Sequence, residues 1–374
     1  MSEKAQHPWY AIHEVEELDS PAFVIYLERV KVNIRSAVEM VGDVGRLRPH
    51  VKTHKSADVT RLMLQAGIAK FKCATIAEAE MLAMAGTPDV LLAYQPVGPK
   101  AARFLALQSR YPSTHFSCLI DNPAAAKALD QKAETQGLNI PVYIDLNVGM
   151  NRTGARPGAG AVALFEQVAQ MNGLTPVGLH AYDGHISEPD LTQRTKLCNE
   201  AYAPVIKMKE ALQKKGFEDI RIVVGGSPTF PIHAQRKEVE CSPGTFVYWD
   251  YGYQQAFPEQ PFRPAALVVS RIISLPAEGL LCTDLGHKSI AAENPLQRRV
   301  RFVNAMELEF VSQSEEHLVL KNAGHHTFSI GDVLYGIPVH VCPTCALYER
   351  AYVVENGYLK GEWKTIARDR KITL

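Results

Sequence analysis

A chain of 374 residues, 46% hydrophobic and 21% charged, has the composition of an ordinary globular protein and suits one large domain with a smaller companion. Forty Lys+Arg balance forty Asp+Glu, so no net field recruits nucleic acid or an anionic membrane. Seven irregularly spaced cysteines (Cys73, Cys118, Cys198, Cys241, Cys282, Cys342 and Cys345) predict reduced thiols in a cytoplasmic protein, and neither the polar N-terminus nor any later run predicts a signal peptide or a membrane span.

A first strand-like run lies at 22–27. Short apolar runs then recur at 47–52, 71–74, 90–94, 115–120, 142–146, 177–182, 221–225 and 239–242. Helical patterns stand between them, for example at 76–85, 161–171 and 200–215, the first and last ending at Gly86 and Gly216. This repetition predicts a closed parallel (β/α)8 barrel of the TIM type over residues 28–260. An open doubly wound sheet is the weaker alternative, since no GxGxxG follows a first strand.

After Pro264 the texture changes. Strand-like runs at 266–274, 280–284, 305–311, 318–321, 333–341, 351–354 and 363–367 are separated by turn residues, with no convincing helix. Residues 261–374, joined by 1–27, therefore read as an all-β domain.

The segment Arg48-Pro49-His50-Val51-Lys52-Thr53-His54-Lys55 gathers cationic and titratable groups around a proline that forces extended backbone. Alone it reads most simply as a basic, solvated strand end. At the first strand of a barrel, however, Lys52 stands where barrel enzymes carry functional residues, among neighbours that favour a nucleophilic amine. Lys55 is the first substitute for it.

The fifth strand leads into Asn147-Val148-Gly149-Met150-Asn151-Arg152-Thr153-Gly154, which places Arg152 near the barrel mouth. The sixth leads into His180-Ala181-Tyr182-Asp183-Gly184-His185. His180 and Tyr182 share a strand face, and His185 is either a general acid–base or a structural histidine. The seventh and eighth end in Gly225-Gly226-Ser227-Pro228-Thr229 and Ser242-Pro243-Gly244-Thr245, small-residue loops through which backbone N–H groups and hydroxyls reach an anion. A lysine, a loop arginine and two such loops are the set that pyridoxal 5′-phosphate requires.

Near the C-terminus, His340-Val341-Cys342-Pro343-Thr344-Cys345 places His340 and Cys342 on one face if the segment is a strand, which suits an open divalent-metal site with Cys345 in the core. A redox CxxC is the rival reading, disfavoured in an all-β context. A closed zinc site would need a further pair, for which His325-His326 is the preceding candidate.

With these residues in view, the chain resembles the D-threonine aldolase and D-serine dehydratase family of fold-type III, alanine racemase-like pyridoxal phosphate enzymes. The resemblance spans nearly the whole chain and includes Leu18-Asp19-Ser20-Pro21-Ala22. It implies that Lys52 carries the cofactor covalently, that Arg152 and Tyr182 contact it, and that Gly225, Gly226, Ser227, Thr229, Gly244 and Thr245 hold its phosphate. It further implies a divalent metal (Zn, Mn or Mg) on His340 and Cys342 that binds the substrate's β-hydroxyl, and a homodimer. Aldolase-type members carry His-x-Asp at the metal motif and D-serine dehydratase carries His-x-Cys, so Cys342 leans toward dehydration. The continuation through Leu347-Tyr348-Glu349 leans toward the aldolase branch.

The implied function is cleavage of D-3-hydroxy amino acids to glycine and an aldehyde. In that reaction His185 or a metal-bound hydroxide removes the hydroxyl proton. In the alternative, dehydration of D-serine or D-3-hydroxyaspartate to a 2-oxo acid and ammonia, Lys52 removes the α-proton. A metal-free amino-acid racemase of the same architecture would need an opposing catalytic tyrosine from the β domain.

Overall fold

In the computed structural model of the chain, residues 8–324 and 326–374 are described. His325, half of the His325-His326 candidate for a closed zinc site, lies outside the described residues, as do the first seven. The chain divides into two compact units: Met1–Ile34 with Thr245–Arg368, and Arg35–Gly244 with Asp369–Leu374. The divisions fall at 34, 244 and 368, where the sequence suggested 27 and 260 and kept 369–374 in the β domain. Asn33 explains part of the difference. Its side-chain amide donates to Arg263 O at 2.8 Å and its oxygen accepts from Arg263 N at 2.9 Å. Trp249 packs on Phe262 with ring centroids 5.0 Å apart, and Ala265 N donates to Tyr248 O, so residues 245–263 are tied to the β unit.

Strand β1 (Ala22–Tyr26) belongs to the β unit. The barrel unit holds seven parallel strands that neighbour one another in chain order: β2 (Lys70–Cys73), β3 (Asp89–Leu92), β4 (His115–Ile120), β5 (Ile140–Asp145), β6 (Leu174–Ala181), β7 (Arg221–Val224) and β8 (Glu240–Cys241). The expected first barrel strand closes the ring as hydrogen-bonded coil. Arg48 N donates to Cys241 O and His50 N to Pro243 O on one side, while Val51 N donates to Lys72 O and Lys72 N to Pro49 O on the other. Only isolated bridges at Leu47 and His50 remain, because Pro49 has no N–H to continue a ladder.

The helices follow their capping chemistry. Thr75 Oγ1 accepts from Glu78 N to open Ile76–Met84, and Asp190 Oδ1 accepts from Gln193 N to open Leu191–Gln213. The latter starts well before the expected residue 200, because its polar first turns hide the periodicity. Inside the ring, Leu91, Leu119, Tyr143 and Val223 form a buried layer. The interior also holds an ionic network. The fully buried Arg48 meets Glu240 at 2.6 Å and Asp89 at 2.6 Å, and Lys70 meets Glu240 at 2.5 Å.

In the β unit, β1 runs antiparallel to β9 (Ala266–Ala277) and parallel to β15 (Arg350–Glu355), at the centre of a nine-stranded sheet. All five residues of β1 are buried, and Val24 and Tyr26 pack with Leu267, Val269, Ile337 and Val354. The sheet is completed by β10 (Leu280–Thr283), β11 (Val300–Phe302), β12 (Leu308–Gln313), β13 (Leu318–Asn322), β14 (Val333–Pro338) and β16 (Tyr358–Lys364).

The expected strand at 333–341 is shorter than anticipated, and the unit is not free of helix. β14 ends at Pro338, and Val341–Leu347 is a helix with His340 at its N-cap; Tyr251–Ala256 is another. One carboxylate caps both: Asp250 Oδ2 accepts from Val341 N at 3.0 Å and Oδ1 from Tyr253 N at 2.9 Å. A cap supplied from 91 residues away leaves no local signal. No described helix is long and apolar enough to cross a membrane.

Candidate active site

Lys52 lines a cavity of about 240 Å³ in the barrel unit, together with His50, Lys72, Arg152, His180 and Tyr182. The Tyr182 ring organises the positive groups: its centroid lies 4.9 Å from the Arg152 guanidinium carbon, 5.8 Å from Lys52 Nζ and 5.6 Å from Lys72 Nζ. Lys55 does not compete with Lys52. It has a left-handed backbone (φ 50) and its ammonium pairs with the buried Glu78. The second amine of this cavity is instead Lys72, which the sequence pattern alone does not single out. It follows Lys70 by two residues on β2, so strand alternation turns both toward the barrel interior.

The electrostatics follow from burial among like charges. Burial, then the charges of Lys52 and Lys72, push His50 well below the usual histidine range. Burial lowers Lys72 to about 7, reinforced by Lys52 and opposed by Asp145 and Asp183. His180 is also lowered by burial, opposed by the bond that its Nδ1 donates to Asp145 Oδ1 at 2.7 Å.

The loop bearing Arg152 is built by Asn147, whose side-chain oxygen accepts from Gly149 N at 3.1 Å and Asn151 N at 3.0 Å. Gly154 closes it at φ 99, and a Cβ there would lie 2.5 Å from Asn147 N. The glycines after β7 and β8 are equally constrained. A Cβ on Gly226 would stand 3.0 Å from the Tyr182 ring, and one on Gly244 would stand 2.9 Å from His50 O. Gly244 N donates to Ser227 Oγ at 3.2 Å, which joins the two loops.

Thr229 plays a supporting part. Its hydroxyl donates to Asp183 at 2.8 Å and accepts from Gly226 N at 3.3 Å, so it braces the loop from behind. Asp183 also accepts from His233 at 2.8 Å. Burial pushes the Asp183 carboxyl upward, but the His233 and Thr229 bonds outweigh it and hold it below the usual range. Among the described residues, only Asp183, Cys198 and His233 bring three ligand-type atoms within 4.8 Å of one another. The Arg236 guanidinium bonds both Cys198 and His233, which supplies a cation already and makes the trio a brace for the loop.

His185 is not brought into the Lys52 cavity. It is exposed, against Gly149, and lines a separate cleft with Ile186, Glu188 and Leu197. Thr245 belongs to the β unit, where its hydroxyl lies 3.6 Å from Cys342 Sγ.

His340 and Cys342 are neighbours, though not through a strand face. They sit at the N-cap and second residue of a helix. Their side chains are hydrogen-bonded, and His340 Nδ1 lies 2.5 Å from Glu293 Oε1. Burial draws the His340 imidazole down, but Cys342, then Glu293 and Asp250, raise it to about 9. Asp250 is itself raised to about 6 by burial, despite the two N–H groups on it. The CxxC does open a helix, contrary to expectation, but Cys345 is fully buried beside Val341 in the core.

Comparison with known proteins finds matches for both parts of the chain. Residues 25–252 match the family described as alanine racemase, N-terminal domain, and residues 265–354 match a putative serine dehydratase domain. D-threonine aldolase of Arthrobacter sp. is 26% identical over 94% of this chain and 93% of its own. D-threo-3-hydroxyaspartate dehydratase of Delftia sp. is 30% identical over 62% of each. The crystal structure of D-threonine aldolase from Filomicrobium marinum superposes with a TM-score of 0.87 at 25% identity, covering 96% of this chain and 98% of that one. The chain carries the barrel of the alanine racemase N-terminal domain family and belongs to that family.

Proposed function

We propose that this protein is a pyridoxal phosphate-dependent lyase that cleaves D-3-hydroxy amino acids to glycine and an aldehyde. The observation that carries the reading is the cavity in which Lys52, Arg152 and Tyr182 meet. The residues fit the cofactor. An amine, a guanidinium and an aromatic ring converge there, and Gly226 and Gly244 let the loops after β7 and β8 pack closely against the Tyr182 ring and His50 O. Bound there, pyridoxal phosphate supplies an electron sink that weakens the bonds at a substrate's α-carbon. Lys52 holds it covalently, Arg152 and Tyr182 orient the ring, and Gly225, Gly226, Ser227, Gly244 and Thr245 serve the phosphate, with Thr229 bracing from behind.

The same reading assigns a divalent metal to His340 and Cys342. An imidazole and a thiolate favour zinc over manganese or magnesium, and the Glu293 carboxylate on Nδ1 is the usual partner that orients a ligating histidine. His185, expected as the base for the hydroxyl proton, lies on a separate exposed cleft and is given no part in that transfer. A homodimer in the cytoplasm completes the proposal; light scattering of the purified protein tests the first part.

Dehydration to a 2-oxo acid and ammonia is the second reading. It is favoured by the thiol of Cys342 and by the similarity to the Delftia dehydratase. Incubation with D-threonine, D-3-hydroxyaspartate and D-serine, with and without a chelator, separates the two. Glycine with an aldehyde supports the aldolase, and a 2-oxo acid supports the dehydratase. Racemisation without cleavage overturns both. Unchanged turnover after complete removal of metal overturns the metal assignment alone.

A further inference from the structure

We propose that Lys72, His180 and Asp145 form a proton relay that opens into the Lys52 cavity, with the Lys72 amine as the acid–base group facing the substrate. The inference deepens the lyase reading and, for its catalytic part, rests on it. Lys72 and His180 both line the cavity, and Lys72 Nζ lies 3.5 Å from His180 Nε2. His180 Nδ1 in turn lies 2.7 Å from Asp145 Oδ1. An ionised carboxylate only accepts, so Nδ1 carries the hydrogen and Nε2 presents its lone pair to Lys72. The Lys72 amine therefore donates one hydrogen to His180, and its remaining valences are available to the cavity.

The groups around Lys72 tune this amine from all sides. Lys52 and Arg48, from the segment closing the ring, oppose its protonation, while Asp145 from β5 and Asp183 beyond β6 favour it. His50, Arg152 and Tyr182 face the same cavity. With burial as the largest influence, the balance brings Lys72 to about 7, where an amine gives and takes protons with equal ease.

The reaction needs such a group. Cleavage of a 3-hydroxy amino acid moves one proton from the β-oxygen to the α-carbon while the Cα–Cβ bond breaks and the aldehyde C=O forms. Dehydration moves one proton from the α-carbon to the departing oxygen as water leaves. Either way a single proton is removed, held and returned, and no other co-reactant is consumed in that transfer. Lys72 takes it on its lone pair to become an ammonium, shares it with His180 against Asp145, and gives it back. His185, on an exposed cleft outside the cavity, is not positioned for this in the structure.

Two measurements test the relay. In the wild-type protein labelled with 13C and 15N at lysine, the side-chain nitrogen of Lys72, assigned by its loss in Lys72→Met, is expected to titrate with a midpoint near 7; a midpoint near 10 overturns the proposal. In the holoenzyme, Lys72→Ala is expected to lower kcat for D-threonine about 10²–10⁴-fold and to regain turnover with added ethylamine. Unaltered kcat and pH profile in that variant, or a loss that no small amine restores, overturns it. A wild-type protein that consumes no 3-hydroxy amino acid but shows the midpoint near 7 supports the buried amine and overturns the lyase reading instead.

Discussion

The Lys52 cavity and the His340–Cys342 pair are built on opposite principles. The cavity draws its side chains from at least four separate segments of a parallel ring, each aimed by strand alternation and by the glycines that keep the loops close. The metal-type pair is local: two residues at one helix start, held by a carboxylate from Glu293 and a cap from Asp250. A scaffold of the first kind tolerates error in any single loop, because the ring fixes the directions. A site of the second kind depends on whether one short segment is strand or helix.

The largest expected effect is at the centre of the cavity. Lys52→Ala should remove the visible absorbance of covalently held cofactor and lower kcat on the order of 10³-fold or more. Retention of the absorbance would transfer the covalent role to Lys72, the other amine lining the cavity, rather than to Lys55 in its ion pair with Glu78. The scaffold is tested by Arg48→Met, which leaves Asp89 and part of Glu240 without their buried partner. A loss of about 3–5 kcal/mol in denaturant unfolding is expected, and a change below about 1 kcal/mol would mean the ring does not depend on that network.

The barrel was legible because its signal repeats. Eight apolar runs between helical patterns predict the ring even though one of them, at Pro49, makes only bridges. Lys52 and the glycine loops were legible by position in that ring. Lys72 was not, because an interior lysine within Phe71-Lys72-Cys73 reads as a surface alternation until the ring closes over it. Glu293 and Asp250 were hidden for another reason: each acts on the 340–342 segment from at least 47 residues away, and no local pattern encodes that approach. The same missing information hid that the end of the expected strand at 333–341 is a helix start.

Lys72 also leaves a mark on stability that needs no substrate. Its amine titrates near 7 when folded and near the ordinary lysine value of 10.5 when unfolded, so between these limits the unfolded chain binds the extra proton. Stability therefore rises with pH through that window, and the cost of burying the amine is greatest at and below neutrality. Lys72→Met should stabilise the protein at pH 7 by roughly 2–4 kcal/mol, an advantage that shrinks to nothing as pH approaches 10.5. A pH-independent difference between the two proteins would mean that the amine is not held neutral by the fold.

The smallest effect is the one that bears most directly on the β unit. Glu293→Gln keeps the size of the side chain and its ability to accept from His340 Nδ1, but removes the charge. A histidine that ligates metal through its other nitrogen loses basicity when that carboxylate becomes an amide, and zinc affinity should fall about 10–100-fold. The variant should be read by competition with a chromophoric chelator, beside Cys342→Ala, which removes a ligand atom outright and should weaken zinc further. If Glu293→Gln binds zinc as the wild type does while Cys342→Ala does not, the carboxylate only tethers the helix start. If neither variant changes affinity, His340 and Cys342 hold each other and not a metal, and the β unit takes no part in cation binding at this position.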